Sequence, residues 1–114
     1  MTSGVLGIAR GGTNAGSFSS GSVVFANSTA LTQNNGQFFW DNTNIRLGLN
    51  TSSPLAMLHI NTSSINGALR IDNSTTGNTL LFLNATTGNV GIGVANPSVR
   101  LNVSGTIATD SQFV

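Results

Sequence analysis

The sequence predicts an all-β fold of short strands, completed by copies of itself. Three observations predict it. Asn, Ser, Thr and Gly make up half of the 114 residues, and these types favour turns, loops and caps over helix interiors. Apolar residues come in strips of two or three, without the periodic runs of Leu, Ala, Glu and Lys that build a helical bundle. Part of the chain also repeats itself at an offset of 43 residues.

The elements follow in order. Residues 1–37 form a Gly/Ser-rich N-terminal segment with one short strand, a linker or an assembly arm. Its Gly4 to Gly16 stretch carries a single charge, Arg10, and its strand centres on Val23-Val24-Phe25. Asn34-Asn35-Gly36 signals a turn. Residues 38–67 hold a first β repeat that opens on Phe38-Phe39-Trp40. Residues 68–114 hold hairpins and a second β repeat.

The repeat sets Leu47 to Asn61 over Val90 to Ser104. Apolar residues coincide at Leu47/Val90, Leu49/Ile92, Leu58/Leu101 and Ile60/Val103; Gly48 falls on Gly91, Pro54 on Pro97 and Phe39 on Phe82. A Gly inside a strand marks a bend or a close backbone approach. The Pro then breaks the strand, because it donates no ladder hydrogen bond. Each unit restarts as Leu58-His59-Ile60 or Leu101-Asn102-Val103, apolar on one face and polar on the other. Between the copies, Ala68 to Asp72 and Thr79 to Leu83 read as strands. The turns Asn73 to Asn78 and Asn84 to Asn89 are near-duplicates, with Gly77 and Gly88 suited to a left-handed position. Residues 57–104 are therefore expected to form a meander of five short strands.

Such strips are too narrow for one copy to bury, and short two-sided strands are marginal alone. Stacking against further copies buries them better. The expected assembly core is Phe39, Trp40, Leu47, Leu49, Leu58, Ile60, Phe82, Val90, Ile92, Leu101 and Val103. The expected turns and bends are Gly48, Pro54, Gly77, Gly88, Gly91 and Pro97.

Composition excludes much chemistry. The chain has no Cys, Lys, Glu or Tyr, one His, four Arg and three Asp. That leaves no disulfide, thiolate site or Cys nucleophile, and little for a metal cage or an acid/base pair. The sequence pI of 9.2 rests on a net charge of +1, and four scattered Arg make no nucleic-acid footprint. No stretch approaches the length of a membrane-spanning helix. Met1 to Arg10 lacks the basic start and apolar run of a signal peptide, so an extracellular protein would leave the cell by another route.

Several motifs resemble those of phage tail-fibre proteins. Gly4 to Thr13 resembles their G-x-L-x-x-A-x-G-G-T segment. Gly21 to Ala26, then Phe38 to Leu49, is similar to their G-S-V-V-F and F-W-D-x-T-N-x-R-L-G-I stretches. Gly88 to Gly93, Asn96-Pro97 and Arg100 to Gly105 resemble their G-N-V-G-I-G-x-x-x-P-x-x-x-L-x-V-x-G unit. The resemblance covers most of the chain. It implies a homotrimeric β-rich fibre, side by side or intertwined, that positions a receptor-binding tip on a virion or cell surface. Many such proteins end in a chaperone domain that trims itself with a Ser and a Lys; with no Lys here, none is expected within this sequence.

Each candidate for chemistry has a plainer reading. His59 could meet its copies on a trimer axis and hold a metal or anion, but its repeat partner is Asn102, which favours an ordinary polar-face residue. Asp41, Asp72 and Asp110 are too scattered to suggest a carboxylate pair. Asp41-Asn42-Thr43-Asn44 lacks the further acids of a Ca²⁺ loop and reads as an Asx turn. Gly91-Ile92-Gly93 and Gly7 to Gly12 complete no phosphate loop. Phe38-Phe39-Trp40 could stack on sugar rings, although adjacent aromatics in a strand point to both faces, which favours packing. Six Asn-x-Ser/Thr matches, at Asn27, Asn50, Asn61, Asn73, Asn84 and Asn102, are little more than an Asn- and Ser/Thr-rich composition generates. Arg46 and Arg100 read as solubilising residues or partners of an Asp in another chain.

The expectation is a non-enzymatic structural protein with no cofactor, whose main partner is itself. A host glycan or receptor is a further partner; nucleic acid and membrane insertion are not expected. Two rivals stay open. One is an extracellular filament subunit joined by strand addition of residues 1–37. The other is a carbohydrate-binding β module in which Trp40 or Phe39 stacks on glycan.

Overall fold

The computed structural model describes residues 4–62 and 67–110. The fold is all-β, with no α-helix among the described residues. The strands are β1 (Val24–Ala26), β2 (Leu31–Gln33), β3 (Phe38–Asp41), β4 (Arg46–Leu49), β5 (Leu58–Ile60), β6 (Gly67–Asp72), β7 (Thr79–Asn84), β8 (Val90–Ile92) and β9 (Leu101–Val103), preceded by a 3-10 turn at Ile8–Arg10. They form three sheets: β1-β2, β3-β4-β5 and β6-β7-β8-β9. The chain divides into two compact units, Met1–Asn61 and Thr62–Val114.

Antiparallel hairpins build most of this, and one device closes all four. Asn27 Oδ1 accepts from the N–H of Thr29 and Ala30 at the β1–β2 turn, at 2.9 and 2.8 Å. Asp41 Oδ1 takes Thr43 and Asn44 at the β3–β4 turn, at 3.0 and 3.1 Å. Asn73 takes Thr75 and Thr76, and Asn84 takes Thr86 and Thr87. A short polar side chain thus supplies an acceptor that the turn backbone lacks. The last residue of the β6–β7 and β7–β8 turns before the closing Asn is Gly77 or Gly88, each at φ 70.

The five strands expected within residues 57–104 are present, but they do not form one meander. β5 pairs parallel to β4, and β9 parallel to β8. Parallel neighbours ordinarily need a long crossover. Here each strand is three or four residues, so the return path is only about 10 Å. The arches 50–57 and 93–100 cover it easily. Both arches open on a left-handed residue, Asn50 at φ 59 and Gly93 at φ 71.

The repeat extends to the hydrogen bonds. Leu47 N–H donates to Met57 O and Val90 N–H to Arg100 O, both at 2.8 Å; Asn61 N–H donates to Leu49 O and Ser104 N–H to Ile92 O; Asn50 N–H reaches Gln37 O and Gly93 N–H reaches Leu80 O. Every pair is 43 residues apart. The repeating unit is therefore a three-stranded hairpin-plus-arch, β3-β4-β5 and again β7-β8-β9. The N-terminal segment holds a second strand, β2, beyond the one expected. It is tied to its own unit, with Ser22 bridged to Phe39 and Trp40 N–H donating to Gly21 O at 2.9 Å.

Candidate assembly surface

The register sorts side chains onto faces. Side chains alternate along a strand, and paired residues share a face. In the first repeat Trp40, Leu47 and Leu58 form one row, and Phe38, Leu49 and Ile60 the next. One face is thus wholly apolar. In the second unit Ile71, Leu81, Ile92 and Val103 form one row, and Leu69, Leu83, Val90 and Leu101 another. That face is apolar too.

Neither face is covered. Trp40, Leu58, Ile71, Ile92 and Leu101 are exposed, and the other members are half-buried. Leu58 and Leu101, equivalent in the repeat, are 56% and 52% exposed. No described side chain is fully buried, and Phe82, at 8%, is the one buried large apolar residue among them.

The chain's own packing lies on the opposite faces. Phe39 stands opposite Gly48, and Phe82 opposite Gly91. Behind each glycine the arch folds close: a Cβ at Gly48 would run into Thr51 O, and one at Gly91 into Val94 O. Neither glycine has positive φ, so close approach is what requires them. Pro54 and Pro97 are buried in the arches. Arg46 Nη1 donates to Pro54 O at 2.9 Å, and Asn89 Nδ2 donates to Pro97 O at 3.0 Å. Arg46 and Asn89 are equivalent in the repeat, so two unlike side chains pin the same carbonyl.

The residues expected to form one assembly core therefore divide into two layers. Trp40, Leu47, Leu49, Leu58, Ile60, Val90, Ile92, Leu101 and Val103 line the uncovered faces. Phe39 and Phe82 belong to the inner layer with Gly48 and Gly91. Gly77 and Gly88 lie in the β6–β7 and β7–β8 turns, each at φ 70.

The candidates for chemistry stay apart. His59 lies on the Phe39–Gly48 face, and its Nδ1 accepts from Leu55 N–H at 3.2 Å. Asn102, its repeat partner, reaches Ser98, also four residues back, at 3.5 Å. No cluster of three or more His, Cys, Asp or Glu that could hold a metal occurs among the described residues. Asp41 is a turn cap; hydrogen bonds from the Asn44 side chain and backbone, and from Thr43 N–H, hold its carboxyl below the ordinary value of 3.8. Asp72 is held low by Arg70, whose Nε lies 2.8 Å from its Oδ2, and by Thr79. Arg100 Nη1 donates to Thr87 O at 3.2 Å, and Asp110 lies in an exposed segment. The Asn61 match extends to Ser63, outside the described residues. No described helix is long and apolar enough to cross a membrane.

The sequence reading passed over Ile45, Leu55 and Met57, which are 62%, 79% and 78% exposed. Their signal was present in the repeat, where the equivalent residues are Gly88, Ser98 and Arg100.

Searched against protein-family models and curated proteins, the chain matches none.

Proposed function

We propose that the chain is a non-enzymatic structural subunit that assembles side by side with copies of itself. The assembly is a homotrimeric segment of a surface fibre of the phage tail-fibre type, on a virion or otherwise outside the cell, and it positions a receptor-binding element. The observation that carries this reading is the pair of uncovered apolar faces, built on the same plan 43 residues apart. Surfaces of this kind mark protein interfaces. Low net charge puts little long-range repulsion between copies. Gly21 and Ser22 pair with β3 of the same chain, which weighs for the fibre segment over the strand-addition filament.

Light scattering behind a sizing column tests it. A single species near 35 kDa, about three 11.6 kDa chains, is the expected result. A monodisperse single chain at every concentration overturns the assembly reading. A large polydisperse species replaces the trimer with an open filament.

A further inference from the structure

The β2–β3 turn holds a glycine that its backbone does not require. Its sequence is Asn34-Asn35-Gly36-Gln37. The turn closes through Asn34 O, which accepts from Gln37 N–H at 3.0 Å and from Phe38 N–H at 2.8 Å. Those bonds pass over Asn35 and Gly36. Gly36 is exposed, and its N–H donates to no group among the described residues. Its φ is not positive. A Cβ there would meet only Asn34 Oδ1, at an ordinary 3.4 Å. Close approach fixes Gly48 and Gly91, and positive φ suits Gly77 and Gly88. Neither demand applies at Gly36, so the fold accepts a side chain there.

The side chain before it is a tie. Asn35 is half-buried. Its Nδ2 donates to Ser20 O at 3.2 Å, and its Oδ1 accepts from Ser22 Oγ at 2.7 Å. The two gripped residues flank Gly21, whose O accepts from Trp40 N–H at 2.9 Å, and Ser22 is bridged to Phe39. One carboxamide thus fastens residues 20–22 where they pair with β3. A carboxamide followed by glycine is also an arrangement in which a chain reacts with itself. The next backbone nitrogen reaches Cγ with no Cβ in the way, and Asn is a thermolabile residue.

We propose that Asn35-Gly36 is a site of spontaneous deamidation, and that the reaction releases residues 20–22 from the turn. Gly36 N gives its proton to solvent base and attacks Asn35 Cγ. The Gly36 N–Cγ bond forms and the Cγ–Nδ2 bond breaks. Nδ2 leaves as ammonia, taking a proton from water, and a cyclic succinimide remains. Water then opens the ring. Cleavage at Cγ leaves an aspartyl residue in the ordinary main chain. Cleavage at the main-chain carbonyl carbon leaves an isoaspartyl residue, with the chain running through Cγ. Water is the only co-reactant. Either product replaces the Nδ2 donor by a carboxylate oxygen, so two acceptors face each other at Ser20 O. The isoaspartyl form also lengthens the chain inside a turn that Asn34 O clamps.

The test incubates the intact, folded chain at mildly alkaline pH and follows it by peptide mass mapping. Cleavage after Arg places Asn35 in peptide 11–46 and the other Asn-Gly pair, Asn66-Gly67, in peptide 47–70, so the two are read apart. The wild type is expected to convert at Asn35 to aspartyl and isoaspartyl forms. Gly36→Ala is expected to slow that conversion at least about tenfold. Amide exchange then reads the release. The Trp40 amide, bonded to Gly21 O, should exchange faster in converted than in fresh protein, while the Asn84 amide, bonded to Asn89 O in the second unit, stays unchanged. Asn35→Asp should speed Trp40 exchange without any incubation. Conversion at Asn35 in the urea-unfolded chain but not in the folded one overturns the proposal, because the bonds to Ser20 and Ser22 then hold the carboxamide shut. Equal conversion in wild type and Gly36→Ala overturns it too. Conversion that leaves Trp40 exchange unchanged overturns the release.

Discussion

Ile45 holds a backbone conformation that its side chain opposes. Gly77 and Gly88 occupy the same turn position at φ 70, and Ile45 holds φ 56 with its side chain in solvent. A left-handed residue other than glycine costs about 1–2 kcal/mol, partly offset by the greater freedom glycine has when unfolded. Ile45→Gly is therefore expected to stabilise the fold by about 1 kcal/mol in urea unfolding. No gain would mean that the Ile45 side chain is held by contacts absent from the single chain. Asp41 gives a second residue-scale prediction. Its carboxyl is held below 3.8 by Asn44 and Thr43. A carboxyl lowered in the folded state adds stability above its ordinary value and loses it as pH falls through the folded value. Asp72, lowered chiefly by Arg70, behaves the same way. Asp41→Asn keeps the acceptor, as Asn84 and Asn73 show. Thermal unfolding should then change little at pH 7, while the loss of stability below about pH 4 becomes shallower. An unchanged acid limb would remove Asp41 from that account.

At the scale of the element, the repeating arch sets the demand on glycine. A Cβ at Gly48 would meet the backbone oxygen of Thr51, and one at Gly91 that of Val94. A backbone atom cannot swing aside as a side chain can. Gly48→Ala is expected to cost about 2 kcal/mol or more in urea unfolding, as overpacking does. Gly77 has open space around it, so Gly77→Ala should cost only the left-handed penalty, about 1 kcal/mol. The reverse order would mean that the arch does not lie behind Gly48. Much of this was legible in the sequence. Coincident Gly48/Gly91, Pro54/Pro97 and the four apolar pairs located the repeat and its strands. Duplicate Asn-to-Asn turns located two hairpins. The parallel pairing was not legible, because alternation in Leu58-His59-Ile60 fixes a face and not a direction. The split of Phe39 and Phe82 from the strips needed the register, which places each over a glycine. β2 was missed because Leu31-Thr32-Gln33 offers a single apolar residue.

At the scale of the molecule, the chain has made its backbone bonds without finishing its core. Its four hairpins are capped, and no side-chain polar atom is buried without a partner among the described residues. Yet its two apolar sheet faces stay open, and its inner layer buries one large apolar side chain. A fold secured by hydrogen bonds and turns but short of apolar burial is marginal alone, since net hydrogen-bond gains are small and apolar burial is the main driving term. In the proposed assembly, copies covering the faces would supply that term, and stability would then depend on concentration. The unfolding midpoint should rise with protein concentration, and Leu58→Ser with Leu101→Ser should abolish that rise while lowering the midpoint. The two residues sit at equivalent places on the two open faces, 43 residues apart, so the double variant weakens both contacts. It removes little from the inner layer around Phe82. A midpoint independent of concentration in the wild type would mean that one chain suffices, and that the open faces serve something other than its own copies.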